Sequence, residues 1–291
     1  MAGGFAQLGL PRLPDLASPH HFTLLQEWIR VCDEDHETCR RLKNGQKGNG
    51  DTRMPTRLIE IGETLRLVDS ASLTCPSRYV ALSHCWGQLP EKDRFCTYKR
   101  NLKAHRSRIA ASVDQLPRSF RDAVVVARGI GVEYLWIDSL CIVQDDPQDW
   151  ENEAKRMEQV FSAAYCTIGA SSARSSAEGF LAPRTPRPCV RLRVRAPTHT
   201  GTGETQRDRQ LYICPAIDNF SQDVENSHLS RRGWVLQERA LSRRSIFYTS
   251  TQVYWECGAG VHCETLARLQ KYVSPASSFS CCVTGHKLTT P

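Results

Sequence analysis

Four residues suited to ligand binding follow short apolar runs of the kind that form buried strands. Ser83, Trp86 and Gly87 follow the first run, and Asp138 follows the next. Gly87 lets the backbone approach a ligand closely, whereas Trp86 is either a stacking surface or a core aromatic. Asp138 can bind a ribose hydroxyl or orient a base, and it can equally cap the following loop by accepting backbone N–H bonds.

Cysteine and histidine form two clusters whose spacing is compatible with metal binding. The members are Cys32, His36 and Cys39 in the first cluster and Cys257, His262 and Cys263 in the second. Neither cluster shows the paired CxxC spacing of strong zinc motifs, and no fourth ligand is evident for the first. We therefore predict no metal site.

A cysteine nucleophile is not favoured either. Cys85 adjoins His84 in the sequence, but neighbours on a strand point to opposite faces, so Cys85 and Cys141 are expected to be small buried hydrophobes. The N-terminus lacks the pattern of a signal peptide. The 13 cysteines are therefore expected to be reduced thiols, which predicts a cytoplasmic protein.

Strand and helix signals alternate along the middle of the chain. Strands are predicted at residues 79–83, 134–137 and 166–169, with an amphipathic helix between the first two and another that begins at Asp146. Trp150, Met157 and Phe161 are predicted to line the buried face of that second helix. This order implies an α/β fold with a mainly parallel sheet flanked by helices, whose ligands bind beyond the carboxyl ends of the strands.

Composition changes divide the rest of the chain. Residues 1–70 form a lead-in that contains a helical stretch and a Gly/Asn/Lys-rich loop at 43–51. The main domain spans 71–260 and includes an Arg/Pro/Thr/Gly-rich insertion at about 184–210, followed by a hairpin at 245–257. Residues 261–291 are predicted to be a tail, either disordered or the start of a truncated region.

The chain has 38 Lys and Arg against 31 Asp and Glu, a net charge of +7. This mild excess is typical of a solvated surface. The cationic stretch at 184–195 has no interleaved aromatic residue, so nucleic-acid binding is not expected. No apolar run approaches the ~18 residues of a membrane span, so no membrane association is predicted.

Three separated blocks together resemble the fungal heterokaryon-incompatibility (HET) domain. They are residues 79–87 (YVALSHCWG), 135–146 (LWIDSLCIVQDD) and 230–238 (SRRGWVLQE). His84 departs from the family pattern, which usually carries tyrosine there. The resemblance implies a role in fungal non-self recognition and programmed cell death. It also implies self-assembly into a homo-oligomer or contact with a partner incompatibility protein.

The HET family is in turn similar to Toll/interleukin-receptor (TIR) domains, which have flavodoxin-like folds and some of which cleave NAD. Trp234-x3-Glu238 resembles the Trp-Cys-x-x-Glu stretch of catalytic TIR domains, with one residue more. This resemblance makes NAD a candidate substrate, with no separate cofactor. It makes Glu238 and Asp138 the candidate catalytic residues. The candidate residues for binding NAD are Ser83, Trp86, Gly87 and Trp234.

The sequence leaves two alternative interpretations open. Glu238 can instead be a structural carboxylate paired with Arg231 or Arg232. The whole domain can instead be a non-catalytic scaffold whose self-assembly recruits a death pathway.

Overall fold

The computed structural model describes residues 10, 12–37, 39, 54–73, 78–200, 203–266 and 268–269, with the backbone alone for 194–200, 203–210 and 268–269. The predicted loop at 43–51 and residues 270–291 of the predicted tail lie outside these ranges. The α-helices are α1 Pro19–Glu34, α2 Lys99–Ser107, α3 Arg118–Gly129, α4 Asp138–Cys141, α5 Pro147–Ala163 and α6 Val235–Leu241. The strands are β1 Arg57–Ile61, β2 Leu65–Asp69, β3 Tyr79–Ser83, β4 Tyr134–Trp136, β5 Cys166–Gly169, β6 Val190–Thr200, β7 Gly203–Ile213, β8 Arg244–Tyr248, β9 Val253–Cys257, β10 Gly260–Cys263 and β11 Arg268–Leu269.

A nine-stranded sheet forms the centre of the fold, in the order β11-β10-β9-β8-β5-β3-β4-β1-β2. The four central strands β8, β5, β3 and β4 are parallel, and the three predicted strands are neighbours, with β3 between β4 and β5. The outer strands are antiparallel. The prediction of a mainly parallel sheet therefore holds for the centre but not for the edges. When only the four parallel strands β3, β4, β5 and β8 are numbered in chain order, their order across the sheet is 2-1-3-4. The chain therefore adds β4 on one side of β3 and then β5 and β8 on the other side.

The helix α3 shows why the centre of the sheet is well covered. Phe120, Ala123 and Ala127 recur at helical spacing and are each at most 1% exposed. The helix ends at Gly129, where a Cβ atom would lie 2.2 Å from the ring of Phe22 on α1. Close contact between these two helices therefore requires glycine at this position.

The helix α5 begins as predicted. Asp146 caps it by accepting the Gln148 N–H at 3.2 Å, and Pro147 takes the first helical position. Phe161 is 1% exposed and Met157 is partly buried, but Trp150 is 54% exposed, so its predicted burial is wrong. The inward positions of the first turns are taken by polar contacts instead. Asp149 bonds with Arg57, and Glu153 accepts from the Thr56 hydroxyl.

The C-terminal part extends the sheet further than predicted. The hairpin of β8 and β9 is confirmed. The strands β10 and β11 continue it, so at least 261–263 and 268–269 belong to the sheet rather than to a tail. The predicted insertion largely coincides with a separate two-stranded ribbon of β6 and β7. Among the described helices, none combines the length and apolarity needed to span a membrane.

Candidate functional site

Ser83 and Glu238 meet at the carboxyl end of the central strand β3. Ser83 is the last residue of β3 and is 5% exposed. Glu238 lies on α6, and its carboxylate accepts a hydrogen bond from the Ser83 hydroxyl. Val235 on the same helix is 4% exposed and packs with Cys85 and Leu229, which holds α6 against the segment after β3.

Asp138 begins α4 immediately after β4, next to the same end of the sheet. Its carboxylate accepts the Trp86 indole N–H at 2.9 Å and the Ser139 backbone N–H at 2.7 Å. The loop-capping interpretation of Asp138 is therefore correct. Its ligand-binding role stays a prediction. The indole hydrogen bond also holds the Trp86 ring against Asp138.

The surroundings of Glu238 shift its ionisation. Burial raises the pKa of Glu238 to about 7, and the charge of Asp138 acts in the same direction. The Ser83 hydrogen bond and the positive charge of Arg232 partly offset that rise in pKa. A carboxyl group with a pKa near neutrality can both accept and release a proton at physiological pH. Such groups are frequent at functional sites.

His84 is a buried histidine next to Asp138. Its side chain is buried, its ring meets Phe120 edge-on with centroids 5.1 Å apart, and its Nδ1 lies 4.0 Å from an Asp138 oxygen. Burial lowers the pKa of His84, although the charge of Asp138 opposes this effect. Neither ring nitrogen has a hydrogen-bond partner among the described residues. The imidazole is therefore expected to be neutral at physiological pH.

A cavity of about 510 Å³ opens beside Trp86, the hydrogen-bond partner of Asp138, although neither Asp138 nor Glu238 is among its lining residues. Its lining residues are Cys85, Trp86, Gly87, Gln88, Arg94, Arg174, His228 and Arg232. The Arg94 guanidinium lies 5.8 Å from the centroid of the Trp86 ring. Arg232 also donates to the His84 carbonyl, and its positive charge acts on Glu238. Three guanidinium groups around one cavity suit a phosphate-bearing ligand.

Sequence reasoning missed this cationic lining. Arg232 lies within the third block, where the sequence indicates only an ion pair with Glu238. Arg94 and Arg174 lie in irregular segments whose position no periodic pattern indicates. The signal that could have found them is that loops after adjacent parallel strands meet at one edge of the sheet.

Gly87 connects the loops that follow β3 and β5. Its φ angle is +84°, and a Cβ atom at this position would lie 2.5 Å from the Cβ of Ser175. Both facts require glycine, because other residues are strained at this φ and a side chain would clash. The close approach seen in the structure is therefore to Ser175, and the predicted approach to a ligand stays a prediction.

Trp234 precedes α6, and its carbonyl accepts the Glu238 backbone N–H at 3.0 Å. Its side chain is 64% exposed, because α6 turns Val235 inward instead. The binding role of Trp234 stays a prediction. The alternative prediction, an ion pair between Glu238 and Arg231 or Arg232, does not describe the main contact of Glu238. Ser83 is its hydrogen-bond partner, while Arg232 donates to a backbone carbonyl.

The cysteines near the site are not activated. Burial raises the pKa of Cys85, and burial raises that of Cys141 to about 12. Both are therefore neutral thiols at physiological pH, in agreement with their predicted role as small buried side chains.

The structure groups the residues of the two Cys/His clusters differently from the sequence. Cys32, His36 and Cys39 converge with Cys257, which corrects the premise that no fourth ligand accompanies the first cluster. Cys263 instead contacts Thr265 and Asp218.

Comparison with known proteins gives one match. The family model of the heterokaryon incompatibility protein (HET) matches residues 79–238, more than half of the chain, and includes all three blocks. No curated protein and no solved structure matches the chain. The matched range contains Ser83, Asp138 and Glu238. The chain belongs to the heterokaryon incompatibility (HET) family.

Proposed function

We propose that this HET-family protein acts in fungal non-self recognition and regulated cell death, in the cytoplasm, by cleaving NAD to nicotinamide and ADP-ribose. The observation that carries the proposal is Glu238, a buried carboxyl group bonded to Ser83 at the end of β3, with a pKa of about 7 and within the influence of Arg232, which lines an arginine-rich cavity. The central strand order 2-1-3-4 also agrees with the start of the flavodoxin-like order, which supports a TIR-like arrangement.

The cavity suits the parts of a dinucleotide. Arg94, Arg174 and Arg232 offer guanidinium groups to a pyrophosphate. Trp86 offers a ring against which a base can stack. Its indole is held by Asp138, whose remaining acceptor capacity suits a ribose hydroxyl.

The reaction requires little acid catalysis, because nicotinamide leaves as a neutral group. The bond between the ribose carbon and the nicotinamide nitrogen breaks, and its electron pair stays with nicotinamide. The ionised Glu238 stabilises the oxocarbenium-like ribose and takes a proton from the water that attacks it. The proton then passes to solvent, and ADP-ribose is released.

The test is nicotinamide release from NAD by wild type and by Glu238→Gln. The amide keeps the size of the side chain and an acceptor for Ser83 but loses the charge, so turnover should fall on the order of 100-fold or more. Glu225→Gln is the matched control, because it removes a carboxylate that is exposed and contacts Arg239. Full activity in a folded Glu238→Gln protein would exclude Glu238 from the reaction.

The second candidate is a non-catalytic interaction domain. The observation that favours it is the exposure of two apolar side chains at the start of α6, Trp234 just before the helix and Leu236 in its first turn, at 64% and 70%. Exposed apolar side chains of this kind suit contact with a second copy or with a partner incompatibility protein. If assembled wild type releases no nicotinamide, and Trp234→Ala with Leu236→Ser dissociates the oligomer in light scattering, this candidate replaces the enzyme.

A further inference from the structure

Four metal-ligating side chains from distant parts of the chain converge at the end of α1. Cys32 lies in the last turns of that helix, and His36 and Cys39 follow it closely. Cys257 is the last residue of β9, 221 positions after His36. The ligand atoms of all four residues lie within 4.8 Å of one another.

The spacing agrees with tetrahedral coordination. With Zn–S of about 2.3 Å and Zn–N of about 2.0–2.1 Å, ideal sites separate two sulfurs by ~3.8 Å and sulfur from nitrogen by ~3.5 Å. The His36 Nδ1 lies 3.4 Å from the Cys257 sulfur. The widest separations therefore need to contract by about 1 Å to surround one ion.

The surroundings suit a metal thiolate centre. The three cysteines are at most 3% exposed, whereas His36 is partly exposed, which leaves a route for an ion from solvent. The turn between β9 and β10 directs the backbone N–H groups of Gly258 and Ala259 at the sulfurs of Cys39 and Cys257. Hydrogen bonds of this kind orient ligands and stabilise negative charge on sulfur.

Charge and ring contacts complete the surroundings. Three thiolates and a neutral imidazole around a divalent ion leave one net negative charge, and the positive charges of Arg243 and Arg244 act on these sulfurs. The His36 ring stacks on that of His262, with centroids 6.2 Å apart and planes at 17°. This contact holds the imidazole while its Nδ1 faces Cys257.

We propose that Cys32, His36, Cys39 and Cys257 bind one structural Zn²⁺, which fastens the N-terminal helix α1 to the end of β9 in the sheet. Four protein ligands close the coordination shell, as in structural rather than catalytic zinc sites. A metal that joins segments so far apart in sequence restricts the unfolded chain strongly, so it stabilises the fold.

The experiment measures zinc in the full-length protein, purified under reducing conditions, by inductively coupled plasma mass spectrometry. Wild type should contain about one zinc per chain, and Cys39→Ser and Cys257→Ser should lose most of it. Cys96→Ser is the matched control, because Cys96 is also buried but lies outside the cluster. It should keep its zinc. His36→Cys should keep it as well, since a fourth thiolate replaces the imidazole.

A second measurement decides the matter if a serine variant does not fold. Replacement of the metal by Co²⁺ should give wild type and His36→Cys the intense visible bands of a tetrahedral cobalt thiolate. The proposal is overturned if folded wild type contains no zinc and takes up neither Zn²⁺ nor Co²⁺. It is also overturned if mass spectrometry finds a Cys32–Cys257 disulfide in place of the metal, or if the serine variants retain full zinc.

Discussion

Replacing Glu238 with glutamine should stabilise the fold at alkaline pH and leave its stability unchanged at acidic pH. In the unfolded chain this carboxyl ionises near its ordinary pKa of 4.5, and in the folded protein it ionises at about 7. Between these values the folded state holds the proton more tightly than the unfolded state. The free energy of unfolding of wild type therefore falls as the pH rises through this window. Glutamine does not titrate, so the variant escapes this loss.

The magnitude follows from the separation of the two pKa values. At 1.36 kcal/mol per pKa unit, a rise from 4.5 to about 7 corresponds to ~3 kcal/mol. The side chain keeps some contact with solvent, so we expect a gain of ~1–3 kcal/mol for Glu238→Gln above pH ~7.5. Chemical denaturation at pH ~4, below the unfolded pKa, and at pH ~8 measures it, with the gain appearing at the higher pH.

Glu264→Gln provides a comparison of opposite sign. Burial by itself would raise the pKa of Glu264, but its contacts with His21 and Arg184 outweigh burial and lower it. Glu264→Gln should therefore destabilise the protein at both pH values, because it leaves Arg184 without its charged partner. A Glu238→Gln protein that is no more stable than wild type at pH ~8 would refute the reasoning about its environment.

Three further substitutions test the packing around the site and the sheet. Gly87→Ala should destabilise the protein by ~1–3 kcal/mol, because alanine is strained at a φ of +84° and its Cβ meets Ser175; a denaturant midpoint equal to that of wild type would contradict this. Phe161→Ala should cost ~3–5 kcal/mol because the ring is fully buried. Trp150→Ala should change stability by less than ~0.5 kcal/mol, since that ring is mostly exposed, and equal losses in the two variants would contradict the orientation of α5.

The central strands and helices were predictable because their signals are local. The alternation of apolar strands with amphipathic helices placed β3, β4 and β5 side by side. The cap at Asp146 located the start of α5. The exposure of Trp150 was not predictable, because residue spacing defines a helical face but not how far the neighbouring structure covers it.

The site was predictable only in part. The pattern after each strand placed Ser83 and Asp138 at one edge, and the family resemblance added Glu238. The hydrogen bond between Ser83 and Glu238, the cationic cavity and the position of Cys257 beside Cys39 all join distant segments. Such contacts depend on the tertiary fold and leave no periodic signal in a single sequence. The same reasoning explains why the fourth member of the cysteine cluster was missed.

The pH dependence of nicotinamide release from NAD tests the proposed role of Glu238 most directly. If ionised Glu238 promotes cleavage, kcat/KM of the wild-type protein should rise with pH and level off, with an apparent pKa of about 7. The residual activity of Glu238→Gln should not show this rise in kcat/KM near pH ~7. Folded wild type that releases no nicotinamide at any pH, or a profile with no step near 7, would contradict the account.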